Sequence, residues 1–92
     1  MILTLGEVKT WLRVDGLDED GVIYLLIAAA EKYLTNATGH VFTEKNELAK
    51  LFCLVLVSDW YENREMIGKV SEKIRTTVES ILVQLSHCYE ST

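Results

Sequence analysis

Proline is absent from all 92 residues, where average usage would place about four or five. Nothing in the chain therefore forces a helix to break or confines a strand to a sheet edge. Cysteine is scarce: Cys53 and Cys88 stand far apart with no CxxC pair, a usage that fits reduced thiols better than a disulfide framework. Basic residues are few, nine against fourteen acidic ones, for a net charge of −5. A nucleic-acid footprint normally shows the reverse balance, with Lys and Arg gathered into a patch that displaces counterions from phosphates, so groove binding and anionic-membrane docking are disfavoured. No apolar run approaches the ~18 residues a membrane span needs. The opening stretch Met1 to Val14 carries neither a basic leader nor a small-residue cleavage site, and the expectation is a protein that is not exported.

Apolar residues, by contrast, make up 49% of the chain. That is ample for one folded domain and too little chain for two, so a single domain over residues 1–92 is expected. The pattern predicts an all-α fold, a small bundle of about four helices. Thr4 and Glu7 form a capping box that starts a short first helix, with Leu5, Val8, Trp11 and Leu12 on its apolar face and a stop near Arg13 or Val14 before Asp15-Gly16. Asp18, Glu19 and Asp20 crowd the next start, where carboxylates favour the positive end of the helix dipole and Asp18 can cap. The second helix, about 19–37, has Val22, Ile23, Leu26, Ile27, Ala30, Tyr33, Leu34 and Ala37 on one face and Tyr24, Glu31, Lys32 and Thr35 on the other. Gly39 is a left-handed stop. Val41 and Phe42 are expected to tuck against the core.

Thr43 or Asn46 caps a third helix, about 46–66, antiparallel to the second. Leu51 to Val57 are seven apolar residues in succession, too many for one stripe, so this helix is central or touches another chain. One reading of its periodicity puts Leu48, Phe52 and Val55 on a face with Asp59 and Glu62, and Cys53, Val57 and Trp60 on another, one for the core and one for a neighbour. Gly68 interrupts, Ser71 caps, and Ile74, Val78, Ile81, Leu82, Leu85 and then Cys88 or Tyr89 form an amphipathic C-terminal helix of about four turns. The end, from Glu90, is expected to fray.

If Gly21 is the sixth position of a calcium loop, the first and twelfth are Gly16 and Ile27, where a ligand Asp and a bidentate Glu are required, so capping is the better reading of the acidic run. His87-Cys88 has no second ligand pair and His40 stands alone, so no metal site is expected. Cys53 sits among Leu and Val, where the thiolate is suppressed. No glycine loop precedes a Lys-Ser/Thr pair. No catalytic residue and no cofactor is expected. The first two helices could mimic a helix-turn-helix, but the would-be recognition helix opens with Asp-Glu-Asp, which repels phosphates. Asp18, Glu19 and Asp20 remain candidates for a contact surface. Trp60-Tyr61-Glu62-Asn63-Arg64-Glu65 groups the residue types that anchor protein interfaces, which makes Trp60, Tyr61 and Arg64 further interface candidates.

Several of these segments, in order and spacing, resemble the tailed-phage head–tail connector (adaptor) family, also labelled DNA-packaging proteins. They are the N-terminal Met-Ile-Leu-Thr-Leu-Gly-Glu-Val-Lys-Thr-Trp-Leu-Arg-Val-Asp, Asp18-Glu19-Asp20, Tyr33-Leu34, Thr38-Gly39 and Tyr61-Glu62-Asn63-Arg64-Glu65. The family pattern often has proline at the start of helix four and an Arg near the end; here Ser71 and the tail Ser86-His87-Cys88-Tyr89 depart from it. The resemblance implies a non-catalytic subunit that joins copies of itself into a ring, dodecameric in the family pattern, beneath the portal protein. It implies a tail-side head-completion protein as the other neighbour, DNA passing through the channel without sequence-specific binding, no membrane, and residence at the head–tail junction of the virion after assembly in the host cytoplasm. The alternative is a small phage-encoded regulatory or DNA-binding helical module.

Overall fold

The Thr4 hydroxyl accepts the Glu7 amide while the Glu7 carboxylate accepts the Thr4 amide, so the predicted capping box closes at the first helix. The computed structural model describes residues 2–43 and 45–90, with side chains as far as Leu85. Its elements are helices α1 (Leu5–Leu12), α2 (Asp20–Thr38), α3 (Glu47–Glu62) and α4 (Glu72–Glu90), with a 3₁₀ turn at Arg64–Met66. No strand occurs among the described residues. The expected all-α bundle of four helices is the observed fold.

Local chemistry sets most of the ends. Arg13 takes the left-handed conformation that terminates α1, and Gly39 does so after α2 with φ 75°, a region a side chain enters only with strain. Asn46 Oδ1 accepts the Ala49 amide and caps α3. Asp18 does not cap α2. The helix begins one residue later than that role requires, behind Glu19, whose side chain makes no cap bond. Nor does α3 reach Met66. Asn63 leaves the helical region at φ −127°, ψ 82° while its amide still bonds the Asp59 carbonyl, and the chain turns back through the 3₁₀ segment. Ser71, expected as a cap, sends its hydroxyl proton to Asp59 Oδ1 at 3.1 Å and so ties the start of α4 to α3. α4 runs to Glu90, longer than the four turns expected. The side chains of Cys88 and Tyr89, and residues 91 and 92, lie outside the described residues.

Contacts at both ends of α2 show it running antiparallel to α3: Glu19 meets Tyr61 and Arg64, while Tyr33 meets the Phe52 ring at 6.1 Å. Between them lies the core of Ile23, Leu26, Ile27, Ala30 and Leu34 on α2 and Ala49, Phe52, Cys53, Leu56, Val57 and Trp60 on α3. Val8 closes it from α1, and Val78, Ile81 and Leu85 from α4. Ile2 and Leu3 are buried too, and the Ile2 amide donates to Glu31 Oε2 at 2.9 Å. Cys53 is a free thiol in this core; burial pushes its pKa up to about 12, with the Glu31 carboxylate adding to the shift. Phe42 is buried as expected, whereas Val41 is 75% exposed.

Candidate functional site

Three of the six interface candidates converge on one junction. The Tyr61 hydroxyl donates to Glu19 Oε2, Arg64 reaches Glu19 Oε1 at 3.3 Å, and the Arg64 guanidinium lies 5.9 Å from the centre of the Tyr61 ring. The pair of bonds clamps the N-terminus of α2 to the C-terminus of α3, with a carboxylate set beside the positive end of the α2 dipole. By accepting the Tyr61 hydrogen bond, Glu19 holds the phenol above the ordinary tyrosine pKa, and its negative charge pushes the same way. A raised pKa makes the interaction fully present below about pH 10 and lost as pH climbs through the native value. Spectrophotometric titration should therefore find Tyr61 ionising later than an unbonded tyrosine, and Glu19→Ala should return it towards the ordinary value. An unchanged Tyr61 titration in that variant would count against the bond.

The remaining candidates separate. Asp20 pairs with Lys9 Nζ at 2.8 Å, which ties α2 to α1 and balances the inward-facing Oδ1. Asp18 is exposed in the preceding turn. Trp60 is corrected outright as a surface residue: it is 0% exposed, and its Nε1 donates to the Lys69 carbonyl at 2.8 Å. One residue along a helix is a rotation of about 100°, so Trp60 and Tyr61 cannot share a face, and the indole is the side chain directed inward.

The expected division of α3 into a core face and a neighbour face is corrected in the same way. Of the first face Phe52 and Asp59 are buried, Leu48 and Val55 half-buried and Glu62 at its edge exposed, while Cys53, Val57 and Trp60 on the second are all buried within this chain. The outward surface of α3 is a third one: Leu51, Leu54, Ser58 and Glu62, recurring at steps of three and four opposite Ala49, Cys53, Leu56 and Trp60. Leu51 is exposed and Leu54 half-buried. Beside them Trp11, expected on the buried face of α1, is 52% exposed and donates from Nε1 to Ser58 Oγ at 2.6 Å. Gly6, Glu7, Thr10, Trp11, Arg13 and Leu54 line a groove between α1 and α3. Glu7 is held there by Lys50 at 2.7 Å, and that bond, with the Thr4 amide, keeps its carboxyl below the usual range.

Next to the groove, a pocket of about 170 Å³ is lined by Trp11, Val55, Ser58, Asp59, Glu62, Lys73 and Ile74. Asp59 is buried, its Oδ1 accepting from Ser71 and Asn63 while Oδ2 has no donor.

A second apolar face was not singled out by the sequence. On α2, Leu25 is 69% and Tyr24 53% exposed, with Ala28 beside them. Leu25, Ala28 and Lys32 lie opposite Ile23, Ile27, Ala30 and Leu34. Because α2 and α3 meet through their buried faces, these two outward faces look in opposite directions. Adding Leu25 to the α2 periodicity makes the helix apolar nearly all round, and that was the available signal.

Residues 2–89 match the sequence profile of the phage gp6-like head-tail connector proteins. The chain belongs to this family. No curated protein and no solved structure matches it. The family is a structural one, and the connector's role is that of a structural component of a phage particle. None of the connector's helices, over the described residues, is long and apolar enough to cross a membrane.

Proposed function

We propose that the connector is a single-domain subunit, residues 1–92, of a homo-oligomeric ring. The ring seats beneath the portal protein, receives a tail-side head-completion protein on its other side, and extends the DNA channel during head completion and tail joining. Assembly takes place in the host cytoplasm and the product is part of the virion. The observation that carries this reading is the pair of apolar faces on opposite sides of the bundle, Tyr24, Leu25 and Ala28 on α2 against Trp11, Leu51 and Leu54 on α1 and α3. A two-fold dimer needs one self-complementary patch, whereas a closed head-to-tail ring needs two different patches, each serving the neighbour on its own side. Contiguous exposed apolar residues on a small domain mark such contacts. The net charge of −5 suits a passage through which DNA slides without adhering.

Light scattering coupled to size exclusion, across concentration and with the portal protein added, tests the proposal. The expected result is a discrete oligomer, formed by the connector alone or on the portal. A connector that stays monomeric at every concentration and also in the presence of portal would overturn it.

A further inference from the structure

The two faces differ in a way that fixes how they would meet. The α2 stripe reads Gly21, Leu25, Ala28, Lys32 and the α3 stripe reads Leu51, Leu54, Ser58, Glu62, each with its apolar and small members first and its charge last. We infer that α2 of one copy lies in the groove between α1 and α3 of the next, parallel to α3, with Lys32 of the first copy meeting Glu62 of the second. The inference rests on the ring reading and names the contact that closes it.

Spacing supports the register. Leu25 to Lys32 is seven residues, a rise of about 10 Å, and Leu54 to Glu62 is eight, about 12 Å. With Leu25 set over Leu54, Lys32 arrives within a side chain's reach of Glu62. Gly21 then stands over Leu51, and an added Cβ at Gly21 would have nothing within 4 Å, so the position is open for an incoming leucine. Ala28 lies over Ser58. Leu25 enters the groove walled by Gly6, Thr10, Trp11 and Leu54. This is the way an amphipathic helix is taken up by a groove, with anchors at steps of three and four.

Charge supports it independently. Lys32 and Glu62 are both exposed, and neither takes part in an ion pair among the described residues. Glu62 and Asp59 both line this pocket, one oxygen of Asp59 being buried without a donor, and Lys73 is the one cation lining it beside these two carboxylates. An ammonium group arriving from a neighbour balances the remainder, and the half-exposed Trp11 ring in the pocket wall gives its stem an apolar surface. On the other side, Glu31 beside Lys32 already accepts the Ile2 amide.

The test is a charge exchange in the full chain, read by the same light scattering with and without portal. Lys32→Glu and Glu62→Lys alone should each weaken assembly by about tenfold or more, because like charges are set opposite each other. The combined variant re-forms the pair with reversed sign at every interface and should assemble within about threefold of the parent. Circular dichroism should be unchanged throughout, since both side chains are exposed. Single variants that assemble like the parent, or a combined variant that stays as weak as the singles, would overturn the pairing and leave the ring reading standing. A parent chain that never assembles would overturn both.

Discussion

Trp60→Ala is expected to remove about 3–5 kcal/mol of stability, the cost typical of truncating a fully buried large aromatic. At about 4–8 °C per kcal/mol for a domain of this size, the melting temperature should fall by about 12 °C or more, a large part of the stability of an ordinary small domain. Three contributions are lost together. The indole is wholly buried in the centre of the core, its ring meets Tyr33 edge-on at 6.2 Å, and its Nε1 holds the Lys69 carbonyl. That last bond spans the end of α3 and fixes the turn leading to α4, so the cavity opens where two helices are joined. Trp60→Phe keeps most of the apolar surface and loses the donor. The Lys69 carbonyl loses one donor at a part-buried position, so the phenylalanine variant should cost about 1–2 kcal/mol. Urea and thermal unfolding followed by circular dichroism would order the variants. A stability loss below about 1 kcal/mol for the alanine variant would show the indole is not packed as described. Assembly lost in Trp60→Ala reports unfolding and says nothing of an interface.

The same residue shows where the sequence is legible and where it is not. Thr4 with Glu7, Gly39 and Asn46 set helix ends through bonds to residues three or four positions away, and such local chemistry is readable in one dimension. The end of α3 is not local: Asn63 exits where Asp59 is engaged by Ser71, twelve residues ahead. Trp60, Tyr61 and Arg64 look alike by residue type, yet a rotation of about 100° sends the indole inward and leaves the phenol to a carboxylate on another helix. The acidic cluster was legible as a helix start. That Glu19 bonds Tyr61 and Arg64 while Asp20 turns to Lys9 depends on the antiparallel packing of α2 on α3 and the placement of α1. Leu51 to Val57 announced a helix with more apolar surface than one core absorbs, but a run without polar residues has no phase, so its outward face could be found only once the inward one was filled. Membership of a connector family was readable from the order and spacing of its motifs, which need no three-dimensional contact to be seen.

A mixture of Leu25→Asp and Leu51→Asp copies should form a one-to-one dimer and nothing larger. Each substitution places a carboxylate in one apolar face, where docking would bury it in place of a leucine; this costs several kcal/mol and should weaken that contact by about a hundredfold or more. Leu25 and Leu51 are exposed, so neither variant should lose more than about 0.5 kcal/mol of folding stability by thermal unfolding. Alone, a Leu25→Asp copy keeps its α1–α3 groove but offers no helix to fill another, and a Leu51→Asp copy has the converse defect. Each should remain a monomer. Mixed, the intact α2 of the Leu51→Asp copy enters the intact groove of the Leu25→Asp copy, and the two outer faces of that pair are both blocked. Light scattering would read a mass twice that of the subunit, saturating at equal proportions. An interface built from like faces gives a different pattern: with α2 packed on α2, Leu51→Asp would assemble as the parent does and the mixture would gain nothing. That pattern would refute head-to-tail closure, because a ring of identical copies whose two faces differ must be divisible into these complementary halves.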